Sequence, residues 1–446
     1  MKRLLVLSYH YAPFNSMATY RAVAFAQHLP EHGIHPIIVT HTWAKDGEGE
    51  HHWHIFQGGA LQVEEHPHHT VVRLPLPVGT KPYTPGALRS FSALLAGRFD
   101  LGGYLPASHE AYRQFLGSNH PVLQNLDGVL GIFNPHHHLE LGAAFAQRQC
   151  IPFCADLRDL WSPDAGTTPL YTGWKHRLRE RLMLRHWKRW LCQAQVVSTV
   201  TPTWANTLQD FLGKPVITVR NGIETGAFDN AANVTPETFT LAYIGSLYPQ
   251  QDVTPLAQAL AALPQSCAWQ FHWVGAPSVE AVEEVRQRMA ACGVDANRIQ
   301  GQTRTTRAEA LGWMRGAQVL VYPAWPNQPG IIGGKVYEYL ASGTPVLITA
   351  PNRDQDVVRL AALSDSAAVF TPEEQSALVA WIQDRHQKWS TQSEKPGTQN
   401  TTPFERSTQV ARWAEVFLQE KKGVKKRGVG SRFRRLLTST CERHGY

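Results

Sequence analysis

Residues 330–346, GIIGGKVYEYLASGTPV, decide the predicted fold. An apolar strand over 318–322 leads through a loop rich in Pro, Gly and Trp into two glycines and Lys335, which open a short helix. Gly343 supplies a left-handed cap where this helix ends, and a proline shortly beyond it prevents continuation. The next strand covers 346–349. The segment therefore predicts a strand–loop–helix–strand unit with glycines at the start of its helix.

The start of this helix has the chemistry of an anion-binding site. Free amide groups and the positive end of the helix dipole lie there, and Gly333 and Gly334 let a phosphate approach. Lys335 adds a full positive charge for a diphosphate. Glu338, one turn further on, is placed to accept hydrogen bonds from ribose hydroxyls next to that diphosphate. The simpler alternative is a solvated corner of an ordinary α/β domain, because glycine-rich helix starts are common.

Strands and helices alternate along most of the chain. The first strand covers 3–9, and a turn at 221–223 closes the first series. A second series begins with the strand over 241–244. Alternation at this spacing predicts parallel sheets covered by helices on both faces. We predict two doubly wound α/β domains over 1–224 and 239–400, a last helix over 403–420 that crosses back to the first domain, and a basic tail over 421–446.

Composition and length define the broad class of the protein. The chain has 446 residues, of which 43% are hydrophobic and 18% charged, as is typical of a soluble globular protein with two cores. No run approaches the roughly 18 consecutive apolar residues of a membrane span. The first apolar stretch is too short for a signal peptide, so we expect a cytoplasmic protein. Six cysteines in a chain of this length do not indicate a disulfide framework.

The net charge of +7 comes from the C-terminal tail. Residues 421–435 hold eight Lys or Arg and no acid, so the rest of the chain carries about −1. Three interpretations stay open: docking on anionic lipid, binding of nucleic acid through counterion release, and a solvated terminus. We favour the first or the third. A peripheral position on the inner face of the cell membrane is thus one expectation, and no nucleic-acid partner is expected.

Two other segments admit a function and a simpler alternative. Residues 41–70 are rich in histidine, a common metal ligand, and look irregular. No cysteine or carboxylate spacing completes a recognisable site there, so we expect no metal. Residues 86–99 place four apolar side chains near one helical face. A helix on a bilayer surface would have this pattern, but so would a core-facing helix, which we favour.

Candidate site residues of the first domain follow two predicted strands. The strand over 128–133 precedes three histidines, of which the last is His138. Open parallel sheets bind ligands at the carboxyl ends of their strands. The next strand runs into Asp156, Arg158 and Asp159, which can bind ligand hydroxyls and supply an acid or base. The alternative is an internal Arg–Asp pair that fixes a loop.

These segments resemble a known family. Lys335 three residues before Glu338, followed by Tyr-Leu-Ala-Ser-Gly and a proline, looks like the sugar-nucleotide segment of family-4-like bacterial glycosyltransferases of the polysaccharide biosynthesis type. D-x-R-D-x-W at 156–161, V-x-N-G-I at 219–223 and the Gly245 turn are similar to family segments in the same order. The resemblance implies the GT-B fold, in which two Rossmann-like domains face each other across a cleft.

The chain departs from the family pattern around the diphosphate. The family often has two glutamates separated by seven residues, and Gly330 occupies the earlier position. Gln250 and Gln251 lie where many members have Arg and Lys. The positive charge must therefore come from elsewhere, and Arg304 and Lys335 are the candidates.

The resemblance implies a nucleotide-sugar-dependent, hexosyltransferase-like glycosyltransferase. It would move a sugar from a UDP- or GDP-linked donor to a hydroxyl of a glycan or lipid-linked acceptor, with retained configuration, without a metal or a tightly bound cofactor, in cell-surface polysaccharide or glycoconjugate synthesis. The donor would be bound by Gly245, Ser246, Arg304, Gly333, Gly334, Lys335 and Glu338. The catalytic candidates are Asp156, Arg158, Asp159 and His138. Two alternatives stay open: a sugar-nucleotide epimerase of the same fold, and a binding protein with a decayed donor site.

Overall fold

The structure is a computed structural model that describes residues 1–14, 17–43, 59–76, 95, 106–160, 173–328, 330–392 and 400–423. The chain divides into two compact units. Unit 1 comprises Met1–Arg220 with Gln409–Tyr446, and unit 2 comprises Asn221–Thr408. The histidines at 51–54, the predicted helix over 86–99 apart from residue 95, and the basic tail beyond 423 lie outside the described residues.

The described residues of unit 1 form an eight-stranded sheet. Its strands are β1 (Lys2–Leu7), β2 (Ile34–His41), β3 (Gln62–Glu65), β4 (Thr70–Leu74), β5 (Gly128–Phe133), β6 (Phe153–Leu157), β7 (Val196–Thr199) and β8 (Ile217–Thr218). Their order in the sheet is β3-β4-β2-β1-β5-β6-β7-β8. The described neighbours are parallel except β3 and β4, which are antiparallel. The interior strands are short apolar runs, as strands buried on both faces require.

In unit 2 the part of the chain that the structure describes forms a six-stranded sheet. Its strands are β9 (Phe239–Ile244), β10 (Trp269–Ala276), β11 (Ile299–Thr303), β12 (Val319–Pro323), β13 (Val346–Thr349) and β14 (Ala367–Phe370). They lie in the order β11-β10-β9-β12-β13-β14, and every described pair is parallel.

Helices follow the strands in both units. In chain order they are α1 (Met17–His28), α2 (Pro106–Gly117), α3 (His137–Gln149), α4 (Trp174–Cys192), α5 (Pro202–Leu212), α6 (Thr254–Ala261), α7 (Val279–Ala290), α8 (Arg307–Gly316), α9 (Gly334–Ala341), α10 (Asp356–Ala361), α11 (Gln375–Ser390) and α12 (Arg406–Gly423). Among the described helices, none is both long enough and apolar enough to cross a bilayer.

The sheet of unit 1 is buried on both faces. Tyr112 of α2, Phe145 of α3 and Trp187 of α4 fill one core. The opposite core contains Phe25 of α1 and Trp413 of α12, whose ring centroids lie 5.3 Å apart. Two helical layers around a mainly parallel sheet confirm the predicted doubly wound α/β architecture, and unit 2 repeats it.

The prediction of an irregular segment over 41–70 was wrong in its second half. β3 and β4 occupy residues 62–74 and add an antiparallel hairpin to the edge of the unit 1 sheet. Gln62, Glu64 and Glu65 make β3 mainly polar, and most of its residues are exposed, as is common for edge strands. This polar composition conceals the strand from a search for apolar runs.

Candidate functional site

In unit 2 the strand order reverses direction between β9 and β12. From β9 the chain extends the sheet on one side through β10 and β11, and then returns to β12 on the other side. Such a reversal leaves a crevice at the carboxyl ends of the two strands, where open α/β sheets bind ligands. Gly245 and Ser246 follow β9, and the loop after β12 leads to Gly333 at the start of α9. The topology therefore brings the two predicted donor-binding segments together.

Lys335 is held against the turn after β9. Its Nζ donates to Tyr243 Oη and to the Ser246 carbonyl, both at 2.8 Å, and lies 4.3 Å from the centroid of the Tyr243 ring. Gly245 has a φ of +100°, and a Cβ at this position would lie 3.0 Å from Lys335 Nζ. Only glycine combines this backbone conformation with such a close approach. The structure thus connects Gly245, Ser246 and Lys335 directly.

Two opposing effects determine the pKa of Lys335. Burial lowers the pKa of this ammonium to about 7, while the nearby carboxylate of Glu338 acts in the opposite direction. Desolvation favours the neutral amine, and an anion beside the amine would favour the charged form. A diphosphate at this position would therefore restore the full charge of Lys335.

Three tyrosines that sequence reasoning did not select support this crevice. Tyr322 Oη accepts a hydrogen bond from the Gly333 amide at 3.1 Å, and Tyr339 Oη accepts one from the Ile244 amide at 2.6 Å. Burial raises the pKa of Tyr322 to about 12, so its phenol stays protonated at neutral pH. The tyrosines thus connect the start of α9 to the ends of β9 and β12. Tyr339 had a signal in the sequence, because it belongs to the aromatic pair within VYEYL of α9, whereas Tyr243 and Tyr322 lie in the strands β9 and β12.

The first turn of α9 offers amides to an anion. Gly333 is the N-cap, and α9 begins at Gly334. The Gly333 amide is taken by Tyr322, and the Val336 amide is taken by the Gly333 carbonyl at 3.1 Å. The amides of Gly334 and Lys335 are then the first-turn donors that an α-helix leaves without an intrahelical acceptor.

Glu338 forms an ion pair that the sequence did not reveal. Its side chain is 10% exposed, and its Oε1 lies 2.5 Å from Nη2 of Arg307, which is 52% exposed. Arg307 is the first residue of α8, and the Thr306 hydroxyl caps that helix by accepting from the Glu309 amide. Arg304 is exposed in the turn between β11 and α8. Arg307, rather than Arg304, is thus the arginine in contact with Glu338.

In unit 1 the strand order reverses between β1 and β5, and His138 follows β5 at the start of α3. Its side chain is fully buried, and Nδ1 lies 2.9 Å from the Ile132 carbonyl. Because a carbonyl only accepts, Nδ1 carries the proton and Nε2 is the acceptor nitrogen. Among the described residues Nε2 has no hydrogen-bond partner. Burial lowers the pKa of His138 to about 4, so the imidazole is neutral at physiological pH.

A chain of buried polar groups lies beside His138. His41 Nε2 lies 2.8 Å from Ser108 Oγ, which in turn lies 3.1 Å from His137 Nε2. His41 Nδ1 donates to the Leu74 carbonyl at 3.3 Å, so Ser108 donates to His41 and accepts from His137. The three imidazoles at positions 41, 137 and 138 are called the histidine cluster below. Burial lowers the pKa of each of them.

Asp156 is fully engaged inside unit 1. Its Oδ2 accepts from Arg21 Nε at 2.8 Å, and its Oδ1 accepts from Arg21 Nη2 at 2.7 Å and from Ser198 Oγ at 2.6 Å. The carboxylate is 0% exposed, and Arg21 also donates to the Arg220 carbonyl. Breaking a buried pair of this kind costs about 3–5 kcal/mol, because it leaves an uncompensated charge. The geometry is that of the internal Arg–Asp pair, with Arg21 as the partner.

Arg158 and Asp159 lie just beyond β6 and have access to solvent. Asp159 is 53% exposed, and its Oδ2 lies 3.3 Å from Arg158 Nη2. Arg158 is 19% exposed, so Asp159 is the more accessible of the two. An ion pair in contact with solvent contributes little to stability, so the pair does not hold either side chain away from a ligand. The structure therefore separates the predicted catalytic set into an accessible pair, Arg158 and Asp159, and two buried residues, Asp156 and His138.

Within the described ranges, no group of three or more His, Cys, Asp or Glu side chains is arranged to hold a metal ion.

Comparison with known proteins connects the unit 2 crevice to a family. Residues 238–384 match the family model described as glycosyl transferases group 1. This range contains Gly245, Arg307, Lys335 and Glu338. A comparison with curated protein sequences finds no match.

Solved structures share the architecture over nearly the whole chain. Sucrose-phosphate synthase from Thermosynechococcus elongatus is 16% identical, with a TM-score of 0.55 over 98% of this chain and 100% of that one. Trehalose 6-phosphate synthase from Burkholderia multivorans is 14% identical, with a TM-score of 0.57 over 96% of this chain and 99% of that one. Anabaena HepE in complex with UDP is 14% identical, with a TM-score of 0.54 over 94% of this chain and 100% of that one. The chain therefore has the GT-B fold of these structures, and residues 238–384 resemble the group 1 glycosyltransferase family.

Proposed function

We propose that this protein is a hexosyltransferase that uses a UDP- or GDP-linked sugar and a hydroxyl of a glycan or lipid-linked acceptor. The observation that carries the proposal is the position of Lys335 at the start of α9, where its amine contacts Tyr243 and lies beside Gly245. These residues belong to the segment that matches the family model. HepE, which shares the fold, binds UDP and UDP-glucose in its solved complexes. We further propose retention of configuration, independence of metal, and a role in cell-surface polysaccharide or glycoconjugate synthesis.

The unit 2 site would act on the leaving diphosphate. Lys335 and the amides of Gly334 and Lys335 would stabilise the negative charge that develops as the glycosidic bond breaks, with Arg304 as a further cation at the rim. Preorganised donors of this kind contribute roughly 3 kcal/mol each to transition-state stabilisation. Glu338 would bind the ribose and thereby fix the diphosphate at the start of α9.

In unit 1 we assign different roles to the accessible and the buried candidates. Arg158 and Asp159 would bind and orient the acceptor, because their side chains have access to solvent. Asp156 and His138 would position the segments after β6 and β5, because both side chains are fully buried. A direct catalytic role for Asp156 and His138 stays a prediction.

Replacing Glu338 by alanine tests the proposal in an activity assay. Purified protein is incubated with a panel of UDP- and GDP-sugars and glycan or polyprenyl-linked acceptors, and sugar transfer is measured. We expect one donor class to be used, and expect the variant to have a kcat/KM about 100-fold lower, since each hydrogen bond to a charged group contributes about 1.5–3 kcal/mol. Glu284→Ala, which removes an exposed carboxylate of α7, is the matched control. Equal transfer by Glu338→Ala and the wild type would contradict the donor-site assignment.

The two alternatives have different signatures in the same assay. An epimerase would convert the donor sugar without an acceptor, and a decayed binding protein would turn over no donor. The glycosyltransferase proposal therefore requires product that contains both donor sugar and acceptor.

We also propose that the basic tail over 421–446 docks the protein on anionic lipid. Its eight Lys or Arg over 421–435 would each contribute about 1 kcal/mol near an anionic surface. A variant that ends at residue 420 is expected to lose cosedimentation with vesicles that contain phosphatidylglycerol, which the full chain retains. Vesicles of phosphatidylcholine alone are the control. Equal cosedimentation of both proteins with the anionic vesicles would reject the lipid role.

A further inference from the structure

The ion pair between Arg307 and Glu338 places an unassigned arginine at the donor site. The two residues lie 31 positions apart, on α8 and α9, and the distance between Arg307 Nη2 and Glu338 Oε1 is 2.5 Å. Arg307 is fixed at the first position of its helix by the Thr306 cap. The pair therefore joins the start of α8 to the second turn of α9, beside one crevice.

Arg307 compensates the negative charge of Glu338. Glu338 is almost fully buried, and a buried carboxylate requires a partner because desolvation is costly. The ammonium of Lys335 donates to Tyr243 and to Ser246 instead of to this carboxylate. Arg307 thus supplies the direct hydrogen-bonded compensation for the charge of Glu338.

The hydrogen bond from Arg307 also restricts the orientation of the carboxylate. A guanidinium is planar and presents its donors in a rigid fork, whereas an ammonium is a point charge that imposes no plane. An ionised carboxylate has about four acceptor positions, and Arg307 Nη2 occupies one of them on Oε1. The others are then held in a defined orientation for hydroxyl donors.

We propose that Arg307 is a specificity-determining positioning residue, which orients the Glu338 carboxylate toward ribose hydroxyls and so makes the site select ribonucleotides over deoxyribonucleotides. This inference rests on the proposed function, because it needs a nucleoside diphosphate at the start of α9. A site built to bind a hydroxyl rejects an analogue that lacks it, because its buried polar groups are then left unpaired. Arg307 would determine how strongly that rejection operates.

The experiment measures the ratio of two affinities. The full chain is titrated by calorimetry with UDP and GDP and with the 2′,3′-dideoxy analogue of whichever nucleotide binds. The wild type is expected to prefer the ribonucleotide by about 100-fold, as two hydrogen bonds to a charged group allow. Arg307→Ala is expected to lower this preference at least fivefold, and Arg307→Lys, which keeps the charge but not the fork, to restore only part of it.

Arg359 provides the matched control. It is 50% exposed and paired with the fully buried Asp356, so Arg359→Ala also removes an exposed arginine from a buried carboxylate in unit 2. We expect the nucleotide preference to stay at the wild-type value in this variant. A general loss of packing would lower both affinities together and leave their ratio unchanged.

The outcomes separate the inference from the function on which it rests. If the wild type binds neither UDP nor GDP, the proposed function fails. If it binds one of them and Arg307→Ala and Arg307→Lys keep the wild-type preference, the inference fails and the function stands. Equal weakening of the ribonucleotide and the dideoxy analogue would show that Arg307 does not act through the ribose hydroxyls and would also overturn the inference.

Discussion

Replacing Lys335 by alanine is expected to weaken the binding of the nucleoside diphosphate by about 100-fold, because the amine is the cation held against the Gly245 turn. A charge-assisted hydrogen bond contributes about 1.5–3 kcal/mol, and 2.7 kcal/mol corresponds to roughly a factor of 100. Calorimetric titration of the variant beside the wild type gives the result. Lys388→Ala, which removes a lysine paired with Asp384 on α11, is the matched control and should bind as the wild type does.

The same lysine makes binding depend on pH. Burial lowers the pKa of Lys335 to about 7 in the empty site, and a bound diphosphate would raise it again, so binding above pH 7 requires the uptake of a proton. Affinity should therefore be highest below pH 7 and fall about tenfold per pH unit above it, as linkage to one proton requires. Lys335→Ala should lose this dependence between pH 7 and pH 9. Wild-type affinity in Lys335→Ala, or an unchanged pH profile, would remove Lys335 from the diphosphate site.

Unit 1 is expected to lose about 4 kcal/mol of stability per pH unit as the pH falls below 6. The histidine cluster is the physical cause. Burial lowers the pKa of His41 to about 3, that of His138 to about 4, and that of His137 well below its ordinary value of 6.5. Each imidazole that stays neutral in the folded state and is protonated in the unfolded state contributes about 1.4 kcal/mol per pH unit.

The sign follows from which state binds the protons. Above pH 6.5 the folded and unfolded states both hold neutral imidazoles, so the contribution of the cluster to stability is fully present. Below pH 6.5 the imidazoles of the cluster bind protons in the unfolded chain. In the folded chain they bind them only when the pH approaches the lowered pKa values. Stability therefore falls with pH across this window, and at pH 5 the cluster would have removed about 6 kcal/mol from a domain stability of about 5–15 kcal/mol.

Hydrogen exchange measured by mass spectrometry at pH 7, 6 and 5, with rates corrected for intrinsic exchange, reports the opening of β1, β2 and β5 in the full chain. His41→Gln removes one imidazole, so its stability should change with pH about one-third less steeply than that of the wild type. His68→Gln removes an exposed histidine and should follow the wild type. Protection of these strands that is independent of pH would contradict the role assigned to the cluster.

The local geometry of the proposed donor site was predictable from the sequence, because it depends on residues close together in the chain. Gly333, Gly334, Lys335 and Glu338 lie within six positions, and α9 places them at one helix start. The alternation of apolar strands and helices likewise predicted both doubly wound sheets. Strand β3 was not predicted, because the prediction relied on apolar runs and an edge strand can form without one.

The remaining contacts were hidden because they join distant parts of the chain. Tyr243 and Lys335 are 92 positions apart, and Arg21 and Asp156 are 135 apart. Periodicity and motif spacing carry no information on which side chains meet after the sheet assembles. The sequence therefore indicated that Asp156 is important, but only the structure identified Arg21 as the partner that buries it.

Whether the crevice between β9 and β12 binds a nucleotide is tested by titrating the purified wild type and Glu338→Ala with UDP and with GDP. We expect that one nucleotide binds to the wild type with micromolar affinity, about −8 kcal/mol, and that the variant loses this binding. Binding of neither nucleotide by the wild type, or equal binding by the variant, would contradict the claim that the crevice between β9 and β12 is a nucleotide-sugar site.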